Sequence, residues 1–128
     1  MTGSKIQIRL PLLKVTSFTN VSTNIPQDGI LLGAFMAVSA SAAAGGSEIA
    51  VYGTLTFDPT AAASNTSLYQ IAFLPVCLVP TATGASNGSV AVYFPFRIPV
   101  TKNQNLWLMG SGSATNLFIT ASVFMEPR

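Results

Sequence analysis

The chain has 128 residues, a net charge of +2 and no histidine; 49% of it is hydrophobic and only 8% is charged, giving a mean hydropathy of +0.52. Its length fits one domain of about 100–150 residues, and its composition excludes a disordered chain, which needs low hydrophobicity and high net charge. Domains ordinarily carry about 25% charged residues, so the surface is either unusually neutral or largely covered.

In chain order, the opening MTGSKIQIRLPLLKV breaks its apolar character at Lys5, Gln7, Arg9 and Pro11, and no signal peptide is expected. Ile6, Ile8 and Leu10 alternate with Lys5, Gln7 and Arg9, the period of a strand with one wet face. Pro11 should interrupt that strand, with Leu13 and Val15 resuming the apolar side opposite Lys14 and Thr16. Residues 1–15 therefore read as an edge strand or an N-terminal arm. The polar run from Thr19 to Gly29 reads as a loop that ends in the turn dipeptide Asp28-Gly29.

Ile30 to Ala44 is shorter than the roughly 20 residues that span a bilayer. Its Ala, Leu and Met suit a helix, but Ile30, Leu32, Ala34, Met36 and Val38 alternate and Gly33 falls inside the segment, so a strand is favoured. Ile49, Val51, Gly53, Leu55 and Phe57 form one face of a long strand, with Glu48, Tyr52, Thr54 and Thr56 on the other. Ser67 to Val79 is apolar on both faces and reads as a central strand, bent or ended at Pro75. Within it Cys77 reads as a small buried hydrophobe, with no His or Lys beside it to activate the thiol. Ser89 to Phe94 and Gln104 to Met109 are shorter strands. Asn116 to Glu126 sets Leu117, Ile119, Ala121, Val123 and Met125 against Phe118, Thr120, Ser122 and Phe124. Turns are expected at Gly45 to Ser47, Asp58 to Thr66, Pro80 to Gly88 and Gly110 to Ser113. About eight strands punctuated by eight prolines and ten glycines predict an all-β fold: a single-domain antiparallel β-sandwich over residues 1–128, jelly-roll-like.

Catalytic chemistry finds little material. Histidine is the one side chain that titrates unperturbed near neutral pH, and the chain has none. The carboxylates Asp28, Glu48, Asp58 and Glu126 are scattered, and Asp28-Gly29 and Asp58-Pro59 are turn dipeptides. Zinc sites want clustered Cys and His, so neither a catalytic residue, a metal site nor a cofactor is assigned. Lys5, Arg9 and Lys14 give the N-terminus a positive bias, but three spaced charges fall short of the blocks that neutralise nucleic-acid phosphates. They read as solubilising residues of an edge strand or as a contact with an acidic protein surface. Trp107, preceded by Asn103, Gln104 and Asn105, is either core or subunit interface, or a sugar-stacking platform that would draw on Asn105 and on Tyr69 or Tyr93. Strands apolar on both faces exceed what a two-layer sandwich can bury, and obligate interfaces are depleted in charge, so a homo-oligomer is expected.

The opening KIQIRLPLLKV, the small-residue loops ASAAAGGS and PTATGASNGS, and the closing NLWLMGSGSATNLFITASVFMEP resemble small β-sandwich virion proteins, especially the capsid decoration or cement proteins and minor structural proteins of tailed phages. The resemblance implies a non-enzymatic structural protein of the virion, assembled in the host cytoplasm. It would act as an oligomer, often a trimer, that binds the major capsid protein or another virion protein and reinforces the shell, with no nucleic acid or membrane as partner. On that reading Lys5, Arg9 and Lys14 are the place to look for capsid contacts.

Overall fold

A computed structural model describes residues 5–15, 18–58, 69–111 and 116–128. The regular elements among them are strands: β1 (Ile6–Arg9), β2 (Leu13–Lys14), β3 (Phe18–Asn24), β4 (Gly29–Ala42), β5 (Ile49–Asp58), β6 (Tyr69–Leu78), β7 (Ser86–Val100), β8 (Asn105–Ser111) and β9 (Asn116–Pro127). Two antiparallel sheets result. One runs β1-β9-β4-β7 with β2 also on β9, the other β3-β8-β5-β6. From β2 onward the chain changes sheet at every step except the β5–β6 hairpin, and the sheets pack β2 against β3, β9 against β8 and β7 against β6. With β1 and β2 counted as one interrupted edge strand, this is the eight-stranded jelly roll.

The interruption falls where proline predicts it. Arg9 pairs with Ser122 while Leu13 pairs with Ile119, so the edge strand takes one more step than β9 and pushes Leu12 into solvent. Leu10 N still donates to the Ala121 carbonyl at 3.1 Å and Val15 N to that of Leu117 at 2.8 Å. Ile8, Leu10, Leu13 and Val15 are buried on both sides of the break. In β4 the favoured strand reading holds, with a bulge between Leu31 and Gly33. The bulge changes the phase, so Leu31 rather than Leu32 joins Ala34, Met36 and Val38 in the core.

The core is one cluster between the sheets. Leu117, Ile119, Val123 and Met125 of β9 face Leu106 and Leu108 of β8 and Val51 and Leu55 of β5, all fully buried. Gly53 and Gly110 are cross-strand partners and take side chains from the opposite sheet. A Cβ on Gly53 would meet Met36 Cε at 2.9 Å and Ile119 Cγ2 at 3.0 Å, and one on Gly110 would meet Val15 Cγ2 at 2.5 Å. Both positions need a residue without a side chain because the gap is already filled from the other layer.

Several expectations are corrected. The polar run from Thr19 to Gly29 contains β3, which pairs along its whole length with β8. Ser67 to Val79 is not a central strand: β6 pairs with β5 alone and forms an edge. It runs through Pro75 because an edge strand leaves alternate N–H groups without a ladder partner. Cys77 is exposed rather than buried, since it alternates with the buried Leu74 and Leu78 phase and points away from the core. The run from Ser89 to Phe94 extends to the fifteen residues of β7. The segments 59–66 and 112–113 of the expected turns lie outside the described residues. Gly45 does turn the chain, at φ +80°, donating its N–H to Thr81 O at 2.7 Å.

Candidate functional site

Sheet register decides which outward side chains are neighbours. On the β9-β4 sheet the row Arg9, Ser122, Phe35, Tyr93 crosses all strands from one edge to the other. The adjacent row is Gln7, Phe124, Gly33, Pro95, and a third is Lys14, Phe118, Ser39, Ser89. Lys5, Gln7 and Arg9 are exposed while Ile6 and Ile8 turn inward, so the three basic residues singled out in the sequence line one margin of this face. Arg97 is exposed on β7 in phase with Tyr93 and Pro95 and lines the other margin. Four of the six Lys and Arg residues therefore border one sheet surface. The acidic side chain described on these strands is Glu126, which lies beyond Phe124 at the end of β9.

Aromatic rings fill the space between the margins. Phe35 is 46% and Tyr93 49% exposed, unusual for large rings unless they are used. Tyr93 leans over Gly33, where a Cβ would come within 2.6 Å of its Cζ, and its ring centroid lies 6.4 Å from that of Phe124 at 48°. Gly33 is thus a clearance for the tyrosine. Further along, Lys14 Nζ sits 5.9 Å from the centre of the Phe118 ring, a cation–π distance. Beside Phe118 a shallow depression of about 330 Å³ runs between Ser39, Ser41, Asn87, Gly88 and Ser89. Gln7 Nε2 donates to Ser122 Oγ at 3.0 Å. The face offers cations, rings, hydroxyls and amides: groups that hold an anionic or hydrogen-bonding surface.

Reasoning from sequence found Lys5, Arg9 and Lys14 but missed Arg97, Phe35 and the Tyr93–Phe124 pair. The strict alternation over Ser86–Val100 was the available signal for Tyr93 and Arg97. Trp107 lies elsewhere, on the outward side of the β8-β5 sheet, opposite Ser22 and Thr56. Tyr93 and Trp107 therefore sit on different sheets and cannot belong to one sugar platform. Asn105 is 2% exposed, and the Tyr69 side chain lies outside the described residues. The remaining two cations, Lys102 and Arg128, gather at the end of the sandwich, where Lys102 N donates to Asp28 Oδ1 at 2.8 Å and Arg128 N to Asp28 O at 3.0 Å. No group of three or more Cys, Asp or Glu suited to a metal ion occurs among the described residues, and no helix there is long and apolar enough to cross a membrane.

No protein-family model matches the chain, and no curated protein matches it. Among solved structures, a chain from the structure of infectious bursal disease virus Gx strain is similar, with a TM-score of 0.49 and 12% identity over 97% of this chain and 32% of that one.

Proposed function

We propose that this is a non-enzymatic structural protein of a virion that docks onto an assembled shell and reinforces it, acting as a homo-oligomer. The observation that carries this reading is the partition of charge. Lys5, Arg9, Lys14 and Arg97 border one sheet face with exposed rings between them and Glu126 alone of the described acids on its strands. Such a face is built to adhere to an acidic surface, because fields of one sign steer association and hold complementary patches together. The residues of the face include no pair of groups placed to exchange a proton, so binding rather than turnover is its chemistry. The sequence resemblance supports the finer reading: a decoration protein of a tailed phage whose partner is the major capsid protein.

The test is co-sedimentation with shells assembled from the candidate capsid protein. Replacing Lys5, Arg9 and Lys14 together with Glu is expected to abolish binding at physiological salt, where the screening length is about 8 Å. The wild-type protein should bind more weakly as salt rises. Unchanged binding and unchanged salt dependence in the triple variant would move docking to another surface. Retention of a single-stranded oligonucleotide in preference to the shell would overturn the acidic-surface assignment.

A further inference from the structure

The opposite outward face has a different composition. The described side chains that β3, β8, β5 and β6 turn outward carry no charge. They include Trp107, Met109, Tyr52, Phe73, Pro75 and Cys77. Phe73 is 41% exposed, and its ring lies 5.3 Å from that of Tyr52. Thr56 Oγ1 donates to Trp107 O at 3.5 Å and lies 3.8 Å from Met109 Sδ, and Thr56 is buried among the larger side chains of this face. Depletion of charge with enrichment in Trp, Tyr, Phe and Met is the signature of a protein interface core. Among the described residues Trp107 Nε1 is closed to solvent and has no hydrogen-bond acceptor, so the indole is seated edge-in with its remaining ring surface partly exposed.

We propose that the outward face of the β8-β5 sheet is the self-association surface and packs against the same face of a second copy. The proposal rests on the reading of the protein as a homo-oligomer and deepens it by naming the surface. Charge selects the occupant. Two basic β9-β4 faces would repel each other, whereas two copies of a face whose described outward side chains are uncharged, with Trp107, Met109, Tyr52 and Phe73 among the polar Ser22, Asn24 and Gln70, can pack together. Size allows it: four strands about 4.8 Å apart and roughly seven to ten residues long at about 3.3 Å each give a footprint near 500 Å² per copy. Two copies then bury about 1,000 Å² in all, where specific interfaces begin. The contact is made by side chains rather than by strand addition, since Pro75 interrupts the free edge of β6. Pairing of like faces closes at two copies. The resulting dimer carries its basic faces outward, on opposite sides.

The experiment combines light scattering with the emission of Trp107, the chain's single tryptophan. Wild type is expected to have twice the 13.3 kDa chain mass at micromolar concentration. Phe73→Glu and, separately, a bulky maleimide on the exposed Cys77 should each reduce it to one chain mass and shift the tryptophan emission to the red. Circular dichroism should stay unchanged, and Thr83→Glu, in the exposed turn before β7, should stay dimeric. A dimer that survives both modifications, or a trimer, overturns this surface while leaving the homo-oligomer standing. A wild-type monomer overturns both. If Phe73→Glu unfolds, the Cys77 adduct, made on folded protein, decides.

Discussion

The two outward faces of the sandwich are built on the same alternating backbone, and both back onto one core, yet they have taken opposite chemistries. The β9-β4 face is ringed by Lys5, Arg9, Lys14 and Arg97 and presents Phe35 and Tyr93 between them. The β8-β5 face presents Trp107, Met109, Tyr52 and Phe73 with no described charge. Folding needs only the inward half of each strand, so the outward half is free to record use. A chain this poor in charge has spent most of its cations on one side, and the difference between the sides says more about function than any single residue does.

The difference can be broken outright from the inside. Ile119 packs from β9 toward Gly53 and Gly110 of the other sheet, so Ile119→Ala should cost about 2–5 kcal/mol in chemical denaturation and weaken both faces together. Gly110→Val overfills the same contact and should cost about 1–3 kcal/mol, again without favouring either face. Sharper tools act on one side alone. A double-mutant cycle on Tyr93 and Phe124 should return a coupling of about 0.5–1.5 kcal/mol with no change in mass in solution. The smallest effect belongs to Lys14 and Phe118, whose cycle should give about 0.5 kcal/mol at an exposed site. If either cycle altered self-association, the division of labour between the faces would be wrong.

Much of this was legible in the sequence where period two was clean. β1, β5 and β9 were read with the correct inward residues, and Pro11 was read as the break it is. The segment FTNVSTN of β3 was missed because its polar residues look like a loop; it is a strand because β8 offers it a complete ladder. β6 misled in the opposite direction. Apolar residues on both sides of a strand ordinarily mean burial on both sides, but here Phe73 and Cys77 are exposed on an edge. The site was half visible. Alternation tells which side chains leave the core, but the row of Arg9, Ser122, Phe35 and Tyr93 joins four strands far apart in the chain, and only the strand order brings them together.

That strand order also sets a timetable. β9 lies between the β1/β2 edge and β4, yet it follows all of the other described strands in the chain. Ile6 finds Met125, and Leu13 finds Ile119, only after nearly everything between them has left the ribosome. The basic segment from Lys5 to Val15 is therefore made well before the strand it pairs with, and it stays an unzipped strand until β9 follows.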